Sequence, residues 1–305
     1  MNMPEKTLWG IDLGGTKIEG VVVDKAHPES ILCRERIQTE GDEGYDHVLN
    51  NIQRLISKMQ AITGLSADAI GIGTPGTLDP YDGTLRGCNS QHLNGKAINR
   101  DLKERLGIPV KLENDANCFA LAEALLGAGK LINPEANVIF GIIMGTGVGG
   151  GLVINGELIS GAHGITGEWG HTHLDDTGGL CYCGKTGCVE TVISGPALEK
   201  YYFEQSGVKL SLKKIAHRSE NTDPHAQRTM KRLWHFFGKG ISGLVNVIDP
   251  DVIIIGGGVG NLDSLYTEGL NSLSKHIFAP RLETKIIKPV LGDSAGVFGA
   301  ALLWG

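Results

Sequence analysis

The apolar residues of the chain fall into short runs separated by turns and by longer amphipathic stretches. The first two runs, at 7–13 and 17–23, flank the turn Gly14-Gly15-Thr16 and predict a β-hairpin with an Asp and glycines at its tip. Residues 44–64 carry apolar side chains at helical spacing and predict an amphipathic helix. The same pattern predicts further strands at 69–73, 110–113, 137–144, 148–154, 251–255 and 286–291, and helices at 98–106, 116–128, 195–206, 211–218, 224–247, 263–276 and 294–303.

The opening hairpin is repeated further along the chain. A second strand–turn–strand unit begins near 137 and turns at Gly145-Thr146-Gly147, again with small residues and a threonine at the turn. Because strands alternate with helices, the fold class is α/β. Because each half of the chain begins with a hairpin, we predict two lobes with a ligand cleft between them. We place the small N-terminal lobe at 1–117 plus 293–305 and the large C-terminal lobe at 118–292.

Composition and charge narrow the classes of function. The 45 glycines cluster next to apolar runs, a pattern typical of tight turns where the backbone approaches a ligand. The formal net charge is −6 and the sequence has no basic face or arm, which disfavours a nucleic-acid partner. No apolar run reaches the length of a membrane span, and the N-terminus lacks the layout of a signal peptide. We therefore expect a cytoplasmic protein with neither a membrane nor nucleic acid as partner.

The two Gly/Thr turns are candidate phosphate sites. In Asp12-Leu-Gly14-Gly15-Thr16-Lys17, glycines without Cβ atoms let backbone N–H groups point at phosphate oxygens, and Asp12 can hold Mg²⁺ directly or through water. Thr146 and Gly147 offer a second set of donors, and Gly256-Gly257-Gly258 suits the adenosine. The alternative is two tight hairpins with no ligand. The presence of one such turn in each predicted lobe favours a phosphate-binding site over two hairpins without a ligand, although the chain has no P-loop motif.

Asn114 and Asp115 stand between a predicted strand and an Ala-rich helix. A carboxylate at a helix start is stabilised as an anion by the helix dipole, and an isolated Asp there is commonly a simple N-cap. In phosphoryl transfer to an alcohol, however, a carboxylate must orient the hydroxyl and take its proton. We therefore predict that Asp115 is the catalytic base.

Three of the six cysteines lie close together, with a histidine upstream. His171, Cys181, Cys183 and Cys188 make a full tetrahedral set for zinc, and four protein ligands leave no open position on the metal. The predicted zinc is therefore structural, which disfavours a zinc hydrolase. Free buried cysteines or a redox pair are the alternatives, since a reducing cytoplasm disfavours a disulfide framework.

Acidic residues flank this zinc loop, which we place at 168–190. Glu168 and Glu190 can each accept hydroxyl hydrogen bonds, as suits a polyhydroxy ligand. If one ring nitrogen of His171 binds zinc, the other can hold a sugar hydroxyl or a neighbouring protein group. The alternative is a pair of loop charges exposed to solvent.

Together these motifs resemble the ROK family (repressors, open reading frames, sugar kinases), within the two-lobed actin-like, hexokinase-type ATPase fold. The resemblance covers nearly the whole chain. It rests on Asp12-x-Gly-Gly-Thr-Lys17, Gly73-x-Pro-Gly76, Asn114-Asp-Ala-Asn117, Gly145-Thr-Gly147, Glu168-x-Gly-His171, Cys181-x-Cys-Gly-x-x-Gly-Cys188-x-Glu190, Asp249-Pro-Asp-x-Ile-Ile-x-Gly-Gly-Gly258 and Gly292-Asp-Ser-Ala-Gly296-x-x-Gly-Ala-Ala301.

The resemblance implies a role for each motif. Asp115 would be the base in transfer of phosphate to O6 of a hexose. The sugar would be held by Gly76, Asn89, Asn114, Asp115, Glu168, His171 and Glu190. MgATP would be held by Asp12, Gly14, Gly15, Thr16, Lys17, Thr146, Gly147, Gly256, Gly257 and Gly258. The structural zinc would be bound by His171, Cys181, Cys183 and Cys188, and the protein would be a homodimer.

Within the family, the chain is similar to bacterial fructokinases and mannokinases in Asn89-Ser-Gln-His-Leu-Asn-Gly95 and in the zinc loop. We therefore predict an ATP-dependent hexose kinase that acts on fructose, and also on mannose or glucose. N-acetylglucosamine kinases and glucokinases are the alternatives, and His92 departs from the aromatic residue common in fructokinases. A sugar-responsive transcription regulator is the alternative of another class. The roughly nine residues before the phosphate loop are too few for a DNA-binding domain and disfavour it.

Overall fold

A computed structural model of the protein describes residues 6–88 and 90–305. The chain forms two compact units. Unit 1 comprises Met1–Gly127, Leu158–Thr166 and Leu291–Gly305, and unit 2 comprises Ala128–Glu157 and Gly167–Val290. Unit 1 is therefore assembled from three segments of the chain and unit 2 from two.

The strands follow one another along both units. In chain order they are β1 (Thr7–Leu13), β2 (Lys17–Asp24), β3 (Ile31–Gln38), β4 (Ile70–Thr74), β5 (Thr77–Leu78), β6 (Leu85–Arg86), β7 (Val110–Asn114), β8 (Val138–Met144), β9 (Val148–Ile154), β10 (Glu157–Leu158), β11 (Val252–Gly256) and β12 (Lys285–Ile287).

The helices alternate with these strands. In chain order they are α1 (Tyr45–Thr63), α2 (Ile98–Leu106), α3 (Asp115–Leu125), α4 (Ala128–Ile132), α5 (Val189–Ile193), α6 (Gly195–Ser206), α7 (Leu212–Ser219), α8 (Pro224–Ile248), α9 (Gly257–Gly260), α10 (Glu268–Leu273) and α11 (Ala295–Leu302). Across residues 6–88 and 90–305, no helix has both the length and the apolar character needed to cross a bilayer.

Unit 1 is built on a five-stranded sheet in the order β3-β2-β1-β4-β7. β1, β2 and β3 pair antiparallel, whereas β4 and β7 join the β1 side in parallel. The register places Asp12 on β1 beside Glu19 on β2, and Glu19 beside Arg36 on β3. Directly paired residues of neighbouring strands share a face of the sheet. These three ionisable side chains therefore form one row.

Unit 2 repeats this plan. Its sheet has the order β10-β9-β8-β11-β12, in which β8 and β9 form the antiparallel hairpin and β11 and β12 add in parallel. In both sheets the first strand of the hairpin is central, and two later strands extend the sheet from it. The internal repeat predicted from the two Gly/Thr turns is confirmed.

Helix α1 covers one face of the unit 1 sheet. Its apolar positions at helical spacing are all buried, namely Val48, Leu49, Ile52, Leu55, Ile56 and Met59. They share one cluster with Trp9 and Ile11 of β1 and Ile18 of β2. The helix ends at Gly64, whose φ of 68° is the left-handed conformation common at helix C-termini.

The sheet also meets α11, through positions that have no side chain. A Cβ atom on Gly10 or on Gly71 would overlap the backbone of α11, the latter at Ala300 O. A Cβ atom on Gly299 of α11 would overlap Cys118 O of α3. Helix α11 therefore packs against β1, β4 and α3 through backbone contact, which holds residues 291–305 in unit 1.

Most predicted elements are present within two residues of their predicted ends. The main omission is β3, whose side chains are mostly exposed at the edge of the sheet, so no apolar periodicity marks it. The predicted helix 263–276 is a 3₁₀ turn at Asp263–Leu265 followed by the shorter α10. The predicted strand 286–291 ends at Ile287, because Pro289 has no N–H to donate to a ladder.

A methyl group at Gly71 should disrupt the contact between β4 and α11. Since the nearest obstacle is the backbone oxygen of Ala300, the helix itself would have to move, and we expect Gly71→Ala to lower the free energy of unfolding by about 3 kcal/mol. Gly243→Ala is the matched control, because a Cβ atom at this exposed position of α8 meets nothing within 4 Å. The control should gain up to about 1 kcal/mol from helix propensity. Denaturant unfolding measures both, and equal stability of Gly71→Ala and the wild type would contradict the backbone contact.

Candidate active site and metal site

The turn of the first hairpin is held by hydrogen bonds to its carbonyl groups. Gly14 N–H donates to Lys17 O at 3.0 Å and closes the turn. Thr39, which is 1% exposed, donates its N–H to Thr16 O at 2.9 Å and its hydroxyl to Gly14 O at 2.7 Å. Gly15 and Thr16 are exposed. Because the carbonyl groups of the turn already accept hydrogen bonds from the protein, the N–H groups of its exposed tip are the groups that can donate to an anion. Thr39 follows β3, which no apolar periodicity marks, so no pattern in the sequence identifies Thr39 as part of the site.

Asp12 is a mostly buried carboxylate two residues before this turn. Burial raises the pKa of Asp12 to about 6, and the charges of Asp115 and Glu19 act in the same direction. Lys17 and Arg36 lower it, but with smaller effect. The influence of Asp115 shows that these two predicted site residues lie near each other in unit 1. Bringing a cation to Asp12 would remove the penalty on its ionised form.

Glu19, the neighbour of Asp12 in the row, has cationic partners of its own. It is 2% exposed and forms ion pairs with Arg34 and with Arg36, the latter at 2.5 Å. Arg34 also donates to Ser294 Oγ, just before α11. Within the described part of the chain, Asp12 itself forms no ion pair. Of the two carboxylates in the row, Asp12 is therefore the one available to an added cation.

Asn114 and Asp115 form the start of α3. Asn114 is the N-cap, and its Oδ1 accepts Ala116 N–H at 2.8 Å. Its Nδ2 donates to Gly76 O at 3.1 Å, where the backbone has a φ of 93°. Asp115 is the first helical residue; it is exposed and accepts the same Ala116 N–H at 2.7 Å. Because Asn114 supplies the cap, Asp115 is not needed as one, and its carboxylate is accessible to a hydroxyl group.

Glu113 supports this pair from the end of β7. Its Oε1 accepts Asn114 N–H at 3.1 Å and Asn117 Nδ2 at 2.9 Å, and its Oε2 accepts the Ser160 hydroxyl at 3.1 Å. Ser160 belongs to Leu158–Thr166, the segment that returns to unit 1. The sequence analysis missed Glu113, since its partner Ser160 is brought near only by the fold.

In unit 2, the second Gly/Thr turn lies beside the glycine run that follows β11. Gly145 N–H donates to Gly147 O at 2.9 Å and closes the turn. A Cβ atom on Gly145 would lie 3.9 Å from Gly258 N. Gly257 has a φ of 83°, and a Cβ atom there would overlap Met144 O at the end of β8. The structure therefore brings two of the three predicted nucleotide-binding segments together.

Glu190 connects this turn to the cysteine loop. Its Oε2 accepts Val148 N–H at 2.9 Å, and a Cβ atom on Gly147 would lie 2.6 Å from the same oxygen. Glu190 lies in the first turn of α5, which begins directly after Cys188. This half-buried, hydrogen-bonded carboxylate is not a solvent-exposed loop charge, while its predicted contact with a sugar stays a prediction.

The histidine and the three clustered cysteines converge. The donor atoms of His171, Cys181, Cys183 and Cys188 all lie within 4.8 Å of one another. Cys183 Sγ is 3.6 Å from Cys188 Sγ, and Cys181 Sγ is 3.5 Å from His171 Nδ1. A tetrahedron with Zn–S bonds of about 2.3 Å and Zn–N bonds of about 2.0 Å separates its corners by about 3.5–3.8 Å. The four side chains therefore fit a tetrahedral metal ion. The sulfur atoms are too far apart for a disulfide bond.

The second ring nitrogen of His171 faces Tyr182. Nε2 lies 2.9 Å from the Tyr182 hydroxyl oxygen, and the two rings meet edge to face with centroids 5.0 Å apart. The sequence predicts either a sugar hydroxyl or a neighbouring protein group as the partner of this nitrogen. In the structure the partner is a protein group, the Tyr182 hydroxyl. Nothing in the Cys-x-Cys spacing marks the middle residue, so the sequence analysis missed Tyr182.

The predicted site residues divide between the two units. Unit 1 holds Asp12, Gly14, Gly15, Thr16, Lys17, Gly76, Asn114 and Asp115. Unit 2 holds Thr146, Gly147, Glu168, His171, Cys181, Cys183, Cys188, Glu190, Gly256, Gly257 and Gly258. Asn89 lies outside the described residues.

Comparison with known proteins agrees with the motifs and the geometry. The sequence profile of the ROK family matches residues 8–305. The chain belongs to the ROK family. A ROK relative, the N-acetyl-D-glucosamine kinase of Histophilus somni, is 36% identical over 307 residues, covering 97% of this chain and 98% of that protein.

Solved ROK structures share the fold. The ROK hexokinase from Thermus thermophilus has a TM-score of 0.87 and 33% identity, with 97% of each chain covered. The ROK family glucokinase from Streptomyces griseus, solved with glucose and AMPPNP, has a TM-score of 0.75 and 28% identity, covering 97% of this chain and 98% of that one. The two-lobed actin-like α/β fold predicted for this ROK chain is confirmed.

Replacing Asp12 with Asn should stabilise the protein in a pH-dependent way. The pKa of Asp12 rises from 3.8 in an unperturbed carboxyl to about 6 in the folded protein, so the wild type loses stability as the pH rises from about 4 to about 6. A shift of this size corresponds to on the order of 3 kcal/mol. We expect the Tm of Asp12→Asn to exceed that of the wild type above about pH 6, and the difference to shrink toward about pH 4. A difference in Tm that stays constant over this range would contradict the raised pKa.

Proposed function

We propose that this ROK protein is an ATP-dependent hexose kinase that phosphorylates O6 of the sugar. The pair formed by Asp12 and Asp115 carries the proposal. One carboxylate is mostly buried with a raised pKa, and the other is exposed at a helix start. Two carboxylates in such different surroundings suit two separate tasks of phosphoryl transfer, namely holding the cation and taking the proton.

Asp115 is the proposed base. Its place in the first turn of α3 stabilises the anion, and its exposure allows contact with the O6 hydroxyl. Asp115 would orient this hydroxyl and take its proton late in a loose, in-line transfer. The remaining proposed sugar contacts are Gly76, Asn89, Asn114, Glu168, His171 and Glu190.

MgATP is the proposed phosphate donor. The exposed tip of the Gly14–Lys17 turn and the Thr146 turn would hold the phosphates through N–H and hydroxyl donors. Gly256, Gly257 and Gly258 would line the adenosine. Asp12, which forms no ion pair among the described residues, would hold Mg²⁺ directly or through water. The cation would neutralise charge that develops on the transferred phosphate.

We assign a structural zinc ion to His171, Cys181, Cys183 and Cys188. The donor separations of 3.5 and 3.6 Å support this assignment, because they match a zinc tetrahedron with thiolate and imidazole ligands. Four protein ligands leave no open position on the metal, so its role would be to order the 168–190 loop.

The relatives favour N-acetyl-D-glucosamine as the acceptor. The Histophilus somni relative, which matches nearly the full length of this chain, is an N-acetyl-D-glucosamine kinase. The preference for fructose inferred from residues 89–95 has no such support, so the alternative named beside it is the better proposal. The relatives named hexokinase and glucokinase keep glucose among the acceptors to be tested.

The oligomeric state, the cellular location and the limits of the two lobes remain proposals. The family resemblance implies a homodimer, and the sequence composition favours a cytoplasmic location. The lobe limits of 1–117 plus 293–305 and 118–292 likewise stay predictions, beside the compact units described above.

A coupled ADP-release assay over a panel of sugars tests the proposal. With N-acetylglucosamine, N-acetylmannosamine, glucose, mannose and fructose as acceptors, we expect sugar-dependent ADP release, with the highest kcat/KM for N-acetylglucosamine. Asp115→Asn should bind the sugar but lose about 10²-fold or more in kcat, because it cannot take the proton.

Asp68→Asn is the matched control for this variant. It makes the same change at an exposed aspartate of unit 1 and should keep wild-type turnover. ADP release that does not depend on any sugar would refute the hexose kinase proposal. Near-normal turnover of Asp115→Asn would remove that residue from the role of base.

Metal analysis tests the zinc assignment. We expect one zinc ion per chain in protein purified without chelator, and loss of zinc with a lower Tm in Cys181→Ser, since the site then lacks a thiolate. Cys33→Ser is the control, because Cys33 is a buried cysteine of unit 1 outside the cluster, and it should retain the zinc. Protein that folds normally with no bound metal would contradict the assignment.

A further inference from the structure

One amide side chain closes the loop that begins at Cys88. Asn94 Oδ1 accepts Cys88 N–H at 2.9 Å, and Asn94 Nδ2 donates to Cys88 O at 2.9 Å. An Asn amide presents an acceptor and a donor side by side. It therefore pairs with both peptide groups of Cys88 as a neighbouring strand would. The pairing therefore holds Asn94 against the backbone of Cys88 through two hydrogen bonds.

The thiol of Cys88 ties this loop to the Pro75–Gly76 segment. Cys88 is 3% exposed, and its thiol donates to Pro75 O. Burial, followed by the charge of Asp115, raises the pKa of Cys88 to about 11, so the thiol keeps the proton that it donates at neutral pH. A Cβ atom on Gly76 would lie 2.7 Å from Cys88 Sγ. The two segments are therefore in direct contact, at a position that only glycine can occupy.

From Gly76 the connection continues to the proposed base. Gly76 O accepts Asn114 Nδ2 at 3.1 Å, and Asn114 caps the helix that begins with Asp115. On its other side the loop meets the first phosphate turn, since a Cβ atom on Gly15 would lie 3.4 Å from Ser90 Oγ. The loop held by Cys88 and Asn94 thus contacts both the segment that leads to Asp115 and the turn proposed to hold phosphate.

We propose that Asn94 and Cys88 are positioning residues that set where the acceptor sugar stands relative to Asp115. The inference rests on the proposed hexose kinase activity. Neither side chain needs to contact the sugar. Asn94 fixes Cys88, Cys88 fixes Pro75 and Gly76, and Gly76 is one of the proposed sugar contacts. A small displacement of an acceptor from its reactive position is costly in rate, so this support should affect sugar affinity and turnover before it affects ATP.

The first test replaces Asn94. Asn94→Ala removes both hydrogen bonds to Cys88 and should raise the KM for the sugar by about tenfold or more, while the KM for ATP stays within about twofold of wild type. The Kd of the sugar in the absence of ATP, measured by calorimetry, should rise by a similar factor. Asn221→Ala is the matched control, because Asn221 also donates to a backbone carbonyl, His217 O at 3.2 Å, but lies in unit 2. The control should leave both KM values unchanged.

A second pair of variants tests the same connection at Cys88 and decides the question if Asn94→Ala does not fold. Cys88→Ala removes the donor to Pro75 O and should raise the KM for the sugar by about threefold or more. Cys88→Ser keeps a donor. Because a C–O bond is shorter than a C–S bond, the hydroxyl would reach Pro75 O at an ordinary O–H···O distance. It should therefore restore a KM near the wild-type value.

The outcomes separate the two proposals. If the wild type turns over a sugar, and Asn94→Ala and Cys88→Ala leave its KM unchanged, the positioning role is overturned while the kinase proposal stands. A rise of the same factor in the KM values for sugar and ATP would indicate general loosening of unit 1, and would also overturn it. If the wild type shows no sugar-dependent ADP release, both proposals fail together.

Discussion

The sheet of unit 1 brings three carboxylates, those of Asp12, Glu19 and Asp115, close to the end of β1, and the fold must limit their repulsion. Glu19 is neutralised by two arginines, and Asp115 is stabilised by the start of α3. Asp12 has neither kind of support, and its burial, followed by the charges of Asp115 and Glu19, raises its pKa to about 6. Asp12 is therefore less compensated by the protein's own charges than Glu19, and it lies near Asp115, the proposed base. The Mg²⁺ ion proposed to bind Asp12 would offset this carboxylate charge, which otherwise costs the folded protein stability when Asp12 is ionised.

Glycines make this arrangement possible in more than one way. Gly71 lies beside an apolar run, the setting that predicted close approach of the backbone to a ligand, yet it admits the backbone of α11 against β4. Gly296 instead leaves room for Asp12, because a Cβ atom built on Gly296 would lie 3.3 Å from a carboxylate oxygen of Asp12. A run of glycines in the sequence therefore predicts that another group lies close to the backbone. It does not distinguish a ligand from a helix or a carboxylate.

Features set by short stretches of chain could be predicted, and those that need distant partners could not. The two hairpins, the cap position before α3 and the spacing of the cysteines depend on neighbouring residues, and the structure has all of them. Thr39 lies 25 residues from its partner Gly14, and Ser160 lies 47 residues from Glu113, so no local pattern joins either pair. Choice of sugar belongs to the second class. On the positioning role proposed for Asn94, it would depend on loop residues whose places are set by contacts that no local pattern shows.

The proposed metal ligands and the Thr146 turn are connected through one short helix and one hydrogen bond. Helix α5 begins directly after Cys188, the last of the four proposed metal ligands. The position of Cys188 therefore determines where the first turn of that helix begins. Glu190 lies in this turn, and its carboxylate holds Val148 N–H, the first residue after the Thr146 turn. An ion bound by the four side chains would therefore fix a carboxylate that shapes the turn, through one short helix and one hydrogen bond. Because Asp115 belongs to unit 1 and has its own support in Asn114 and Glu113, removal of the proposed metal should weaken the proposed nucleotide binding before it affects the proposed base.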